Sequence, residues 1–147
     1  MAGEDRYRLA AVRDVRARNE KARKGELAVA VGDAHEILAK LDAARTRTKA
    51  ARDAVVAGCA GRDALASAGA TGAQLALADQ FIARRRRELD QTVAEEIRCE
   101  AAHAERQGKV DAARLVLARS RAERQVIERH FERWRDERKK LLDRRED

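Results

Sequence analysis

The sequence predicts an all-α protein in which two long helices form an antiparallel coiled-coil hairpin. Charged residues make up 40% of the 147 residues, aromatics make up 3%, and proline is absent. Much of the 44% hydrophobic content is alanine, which adds little to a core at about 25 cal/mol per Å² of buried apolar surface. This composition is typical of long helices that meet along a narrow seam. We expect one domain spanning residues 1–147.

The first helix is predicted over residues 4–57. Apolar and small residues recur at heptad spacing in its second part. One seam position holds Leu27, Ala34, Leu41, Thr48 and Val55, and the other holds Ala30, Ile37, Ala44 and Ala51. Because the pattern runs through Gly32, a continuous helix is favoured over a kink there. Before Leu27 the phase changes, and a separate stretch is expected, formed by Leu9, Val12, Val15 and Ala22.

The loop is predicted over residues 58–71, where four glycines fall within the segment GCAGRDALASAGATG. Gly58 is expected to end the first helix in a left-handed conformation. Thr71 and Gln74 have the spacing of a capping box, in which each side chain accepts from the other residue's backbone amide. The second helix is therefore expected to begin after Thr71.

The second helix is predicted over residues 72–145, again with heptads. The first seam position reads Leu75, Ile82, Leu89, Glu96, His103, Val110, Leu117, Arg124, Phe131, Arg138. The second reads Ala78, Arg85, Thr92, Cys99, Arg106, Ala113, Ser120, Ile127, Trp134, Leu141. Polar residues interrupt both positions between Thr92 and Arg106. Since Val93 and Ile97 lie beside the register, we expect a local slip there.

The short connection makes the helices antiparallel. With a fold-back near residue 65, Leu9 would pair near position 121, and the end of the second helix would extend past the first. That extension contains Phe131 and Trp134, which share one helical face. The first helix would leave this face uncovered apart from residues near Tyr7. Two interpretations are open: the aromatics cap the coiled coil, or they anchor a partner, since Trp and Arg dominate binding hot spots.

The sequence contains no catalytic motif, and we expect no enzymatic activity, no cofactor and no metal. Cys99 and His103 share a helical face, but two ligands on a predicted seam favour packing over a metal site. Cys59 and Cys99 form no redox motif and are expected to be free thiols. The N-terminus lacks the apolar segment of a signal peptide, and no run is apolar enough to span a membrane. A soluble cytoplasmic protein is expected.

The net charge is +7, which suits nucleic acid or an acidic protein surface. Arg84–Arg87 point in four directions around a helix, so a solvated face is favoured over a binding ring. The last nineteen residues, RHFERWRDERKKLLDRRED, contain eight Arg and Lys and six Asp and Glu. Glu and Arg there lie three and four residues apart, which favours pairing within the helix. This interleaving argues against phosphate binding as the main role.

The two ends of the chain resemble a known family. The opening YRLAAVRDVRARNEKA and the closing VIERHFERWRDERKKLLDRRED are similar to the stalk proteins of type III secretion, the YscO/FliJ group. The injectisome branch is closer than the flagellar one, because the middle of the chain is rich in Ala and Gly. The residues that carry the resemblance are Tyr7, Leu9, Val12 and Arg13 at one end and Glu128, Phe131, Arg133, Trp134 and Arg135 at the other.

The resemblance implies a fold similar to the γ-subunit stalk of rotary ATPases. It also implies a non-catalytic role at the cytoplasmic face of a secretion apparatus at the inner membrane. The paired termini would enter a hexameric secretion ATPase, and other parts would contact the export-gate membrane protein and, in some members, chaperones. The expected ring contacts are Tyr7, Arg8, Arg13, Phe131, Arg133, Trp134, Arg138 and Lys139. The expected gate contacts, placed by geometry and analogy, are Leu38, Leu41, Phe81 and Ile82. Neither nucleic-acid binding nor membrane insertion is expected.

Two other functions remain open. The first is a basic coiled-coil protein that binds nucleic acid, whose affinity would fall steeply with salt. The second is a holdase or scaffold hairpin, which would bind unfolded clients and leave ATPase turnover unchanged.

Overall fold

A computed structural model describes residues 6–146 and confirms the all-α helical hairpin. Helix α1 spans Ala10–Ser67 and helix α2 spans Gly72–Glu146. Ion pairs join the helices in antiparallel order: Arg62 contacts Asp79, and Arg45 contacts Glu96. Neither helix has a stretch, within the described residues, that is long and apolar enough to cross a membrane.

The turn between the helices occupies residues 68–71 and is set by local hydrogen bonds. Gly69 has a φ of +82°. The amide of Ala70 donates to the carbonyl of Leu65 (3.0 Å), and the amide of Gly69 donates to that of Ala66 (3.2 Å). These are the two bonds of a Schellman motif. The predicted capping box is confirmed, because Thr71 and Gln74 exchange hydrogen bonds of 2.9 and 3.3 Å.

The predicted end of the first helix at residue 57 is wrong, because α1 continues through Gly58 and Gly61 to Ser67. Gly58 serves close packing, and a Cβ atom there would lie 3.3 Å from Cγ1 of Ile82. The longer α1 also corrects the predicted pairing of Leu9 near position 121. Arg13 contacts Glu128, so the register between α1 and α2 differs from the predicted one.

The heptad seam of α2 is continuous. From Leu75 to Arg138 every predicted position is buried or half-buried, whereas Leu141 is exposed. The slip expected between Thr92 and Arg106 is wrong, since Ile97 is 59% exposed and lies outside the seam. In α1, the seam residues predicted from Leu27 to Val55 are likewise buried or half-buried, and the helix is continuous through Gly32.

The change of phase expected before Leu27 is also wrong. The α1 seam continues in the same heptad through Glu20 and Arg13, whereas Val12 and Val15 are 41% and 49% exposed. The pattern was hidden because charged residues occupy seam positions. Ion pairs across the helices hold those charges, as the pairs of Arg13 with Glu128 and of Glu20 with Arg124 show.

Contacts group the chain into two compact units, and the single domain predicted from the sequence stays a prediction. We call residues 6–32 and 108–146 the terminal unit and residues 33–107 the central unit. Residues 1–32 and 108–147 of the sequence, which contain this unit, have 21 Lys and Arg residues against 14 Asp and Glu, a net charge of +7. The central unit has 12 of each and is neutral. The basic character of the described chain therefore resides in the terminal unit.

Candidate functional site

An aromatic cluster joins the two ends of the chain in the terminal unit. Tyr7, which is 6% exposed, lies edge-on to Phe131 with ring centroids 5.1 Å apart, and 5.2 Å from Trp134. Phe131 and Trp134 stack on each other at 5.8 Å. The hydroxyl of Tyr7 forms a 2.7 Å hydrogen bond with Nδ1 of His130. Such ring pairs stabilise by about 0.5–1.5 kcal/mol beyond their buried area.

Arginines frame this cluster. The guanidinium of Arg13 lies over the Phe131 ring, 4.0 Å from its centroid, and its Nε donates to both oxygens of Glu128 at 2.9 and 3.1 Å. This hydrogen bond raises the pKa of Arg13 and lowers the pKa of Glu128. Arg138 lies over Trp134 at 5.8 Å. The cluster is therefore an apolar centre with cationic edges, a combination common in binding hot spots.

A second charged group lies along the seam of the terminal unit. Glu20 is 6% exposed and accepts from Arg124 and Lys24, each at 3.0 Å. Arg121 lies 3.8 Å from the same carboxylate. The hydrogen bond from Lys24, followed by that from Arg124, lowers the pKa of Glu20. Arg121 and Arg124 of α2 pair with this carboxylate across the helices, whereas Lys24 pairs with it within α1.

The structure brings together five of the eight predicted ring contacts: Tyr7, Arg13, Phe131, Trp134 and Arg138. The others, Arg8, Arg133 and Lys139, are exposed. Tyr7 covers Phe131 and Trp134 and leaves both half-buried, as the exception made for residues near Tyr7 allowed. The interpretation as a cap on the coiled coil and the interpretation as an anchor are therefore both compatible with the contacts.

An apolar groove of about 550 Å³ lies in the central unit near the turn. Gly58 and Gly61 leave room in it, and the exposed rings and side chains of Phe81 (40%) and Leu65 (42%) line it. Arg62 and Arg85 border the groove, and Arg85 lies 4.9 Å from the centre of the Phe81 ring. The groove is an open surface suited to an apolar side chain of a partner.

The four predicted gate contacts differ in their exposure. Leu41 and Ile82 are 2% and 6% exposed and pack in the seam, so they are inaccessible in the folded hairpin. Leu38 and Phe81 are exposed. Phe81 borders the groove, whereas Leu38 lies twenty residues before Gly58 along α1, about 30 Å at 1.5 Å per residue. The structure does not bring the four residues into one surface.

Several residues of these surfaces were missed by sequence reasoning. His130 and Glu20 have tertiary partners that only the register reveals. The glycines at 58 and 61 were assigned to a loop, whereas their spacing of three on one helix places both in the groove. The i, i+3 spacing of these glycines is the signal that could have indicated a shared face on one helix.

Within residues 6–146, no group of three or more His, Cys, Asp or Glu residues is arranged to hold a metal. Cys99 and His103 are both half-buried on the seam, where packing was expected, and both cysteines are free thiols. The arrangement supports binding through surfaces: an aromatic and basic cluster in the terminal unit and an apolar groove in the central unit.

Comparisons with family models, with curated proteins and with solved structures return no match for this chain.

Proposed function

We propose that this chain is the non-catalytic central stalk of a type III secretion export apparatus. In this role the terminal unit enters the pore of a hexameric secretion ATPase and promotes its activity. The central unit contacts the export-gate membrane protein, so the chain links ATP hydrolysis to protein export at the cytoplasmic face of the inner membrane. Secretion chaperones are further partners in this proposal.

The observation that carries the proposal is the cluster formed by Tyr7, Phe131, Trp134 and Arg13. It unites the two segments that resemble the stalk family, residues distant in sequence, at one site of the terminal unit. The net charge of +7 in residues 1–32 and 108–147 supports binding to an acidic protein surface. Exposed Arg133 and Lys139 provide contacts outside the packed cluster.

The test mixes the full chain with a hexameric type III secretion ATPase. We expect faster ATP hydrolysis and a larger fraction of hexamer, both weakened by Trp134→Ala. Since Trp134 also packs against Tyr7, the exposed double variant Arg133→Glu, Lys139→Glu tests the contact without altering the cluster. The matched control is Leu77→Ala, at a residue of the central unit that is 66% exposed. This variant should stimulate ATP hydrolysis as strongly as the parent chain. Unchanged turnover at saturating stalk would exclude the proposal.

The charge division favours one alternative, a coiled-coil protein that binds nucleic acid through its terminal unit. Residues 1–32 and 108–147 carry a net charge of +7, whereas the last nineteen residues alone carry +2. Such binding would fall with salt at a slope near −0.9 per phosphate contact. Tight duplex binding with this slope, together with no effect on the ATPase, would favour this alternative.

A further inference from the structure

A second heptad stripe follows α1 of the terminal unit, on a face turned away from the seam. Its positions alternate in spacing between three and four residues: Val12, Val15, Asn19, Ala22, Glu26, Val29. The stripe lies about a third of a turn from the seam residues Arg13, Glu20 and Leu27. It contains the valines that suggested a change of phase in the sequence.

The valines of this stripe are exposed. Val12, Val15 and Val29 are 41%, 49% and 66% exposed, whereas the seam residues Val110 and Leu117 are 2% and 5% exposed. The seam between α1 and α2 does not use this stripe. A helix with apolar residues on two faces offers the second face to another element, since single exposed apolar residues are common but a heptad series is not.

Exposed basic residues without an ion-pair partner among the described residues lie beside the stripe. Arg18 is three residues after Val15 and four before Ala22, so it adjoins both on the helix surface. Arg18 and Lys21 are exposed and have no ion pair within residues 6–146. The seam-side arginines differ, because Arg13 and Arg16 are bound to Glu128 and Glu123.

The acidic residues near the stripe do not cancel this charge. Glu26 is held by Arg23 at 2.9 Å, and Asp14 is the other acid on this side. Residues 1–32 of the sequence contain eight basic and five acidic residues, a net charge of +3. The stripe therefore combines three valines and an alanine with Asn19 and Glu26, and basic residues lie beside it.

We propose that this stripe binds an acidic amphipathic helix of another protein, with its apolar heptad positions against the valines and its carboxylates against Arg18 and Lys21. Asn19 lies within the stripe, and a polar residue at such a position sets the register of a helical pair. The proposal goes beyond the ring contact, because it uses a face that the aromatic cluster does not.

Charge and chemistry disfavour two other occupants. A second copy of this face would bring two segments of net charge +3 together and would be repelled. A phosphate backbone would pair with Arg18 and Lys21 but would leave the valines in contact with water, since nucleic-acid surfaces are read through charge and stacking.

The test uses the full chain and a three-heptad synthetic peptide with Leu at heptad seam positions and Glu beside them, labelled for fluorescence anisotropy. We expect saturable binding that Val15→Gln weakens about tenfold and Arg18→Gln about threefold. Val126→Gln and Arg119→Gln are matched controls, because both residues are exposed on α2 of the same unit, and they should leave the affinity unchanged. Circular dichroism checks that each variant retains its helicity.

Four outcomes would overturn the proposal: no binding of the acidic peptide; equal binding of a peptide with Lys in place of Glu; equal weakening by the control variants; or a dimer that Val15→Gln dissociates. Duplex DNA that competes with the peptide, at an affinity that Val15→Gln leaves unchanged, would assign the surface to nucleic acid. Because Val15 lies outside the ring-contact residues, Val15→Gln should still stimulate the secretion ATPase. Loss of peptide binding and loss of ATPase stimulation therefore test separate proposals.

Discussion

At the scale of single residues, the buried polar groups of the seam differ in whether they have hydrogen-bond partners. Glu20 is buried but binds Arg124 and Lys24, so its charge is compensated. Thr48 is 1% exposed, and its hydroxyl has no hydrogen-bond partner. A buried hydroxyl without a partner costs about 1–3 kcal/mol. Thr48 is therefore a position where the sequence is not optimal for stability.

We expect Thr48→Val to raise the free energy of unfolding by about 1 kcal/mol, because valine keeps the shape and removes the unpaired hydroxyl. Urea denaturation followed by circular dichroism measures the change. Thr46→Val is the matched control, since the exposed hydroxyl of Thr46 donates to the carbonyl of Asp42 at 3.0 Å; no gain is expected there. An unchanged or lower unfolding free energy for Thr48→Val would contradict the prediction.

At the scale of the helices, heptad periodicity predicted the α2 seam on either side of the polar interruption, because apolar and small residues keep one phase there. Between Thr92 and Arg106 the polar seam residues led to the prediction of a slip that the structure does not have. The N-terminal part of α1 could not be predicted in this way. Arg13 and Glu20 occupy its seam positions, and only their partners on α2 make those positions favourable. The sequence predicted that residues near Tyr7 lie close to the aromatic face, but not the contact between Tyr7 and Phe131 itself. The register between the helices depends on where α1 ends, and that end was predicted wrongly.

Glycines explain the error in register. Gly58 permits either a left-handed helix end or a close approach of two helices, and local sequence does not distinguish them. The close approach of Gly58 to Ile82 distinguishes the two roles, but Ile82 lies on the other helix. Gly69, in contrast, ends α1 through its positive φ. Substitutions at glycines should therefore differ in sign along the chain.

We expect Gly32→Ala to stabilise the protein by about 1 kcal/mol, because alanine has the higher helix propensity and its Cβ would meet no atom within 4 Å. Gly69→Ala should destabilise it by about 1–2 kcal/mol, the cost of a left-handed conformation for an L-residue. Thermal melting of the two variants against the parent chain measures both changes. Equal shifts of the two variants would contradict the assignment of Gly69 as the helix-ending residue.

The helix pairing of the terminal unit should weaken in acid. Hydrogen bonds from Lys24 and Arg124 lower the pKa of Glu20, and the one from Arg13 lowers the pKa of Glu128. A carboxylate with a lowered pKa stabilises the folded state fully above its ordinary pKa of 4.5. This contribution is lost as the pH falls below that value through the pKa of the folded state.

Unfolding free energies between about pH 7 and pH 3 should therefore fall less in the double variant Glu20→Gln, Glu128→Gln than in the parent chain. Glu36→Gln is the control, because Glu36 forms only an exposed pair with Lys40 within α1, at 3.2 Å. It should keep the acid sensitivity of the parent. Parallel acid profiles for the parent chain and the double variant would count against these ion pairs as the origin.

At the scale of the whole molecule, charge and surface chemistry divide between the two units. The terminal unit carries the aromatic cluster and belongs to sequence segments with a net charge of +7, whereas the neutral central unit carries the apolar groove. A charged surface governs association rates and salt dependence, and an apolar groove does not depend on charge in this way. The division suits two partners of different chemistry, as the proposed stalk function requires.

This division predicts that the two binding functions can be removed separately. Trp134→Ala should reduce ATPase stimulation while leaving binding of the export-gate protein intact. Phe81→Ala, which removes a ring from the groove, should do the reverse. No residue belongs to both surfaces, so the double variant should show the sum of the two losses in free energy. ATPase turnover and a pull-down with the cytoplasmic part of the gate protein measure the two functions. If Phe81→Ala abolished ATPase stimulation in a folded protein, the assignment of separate surfaces to separate partners would be wrong.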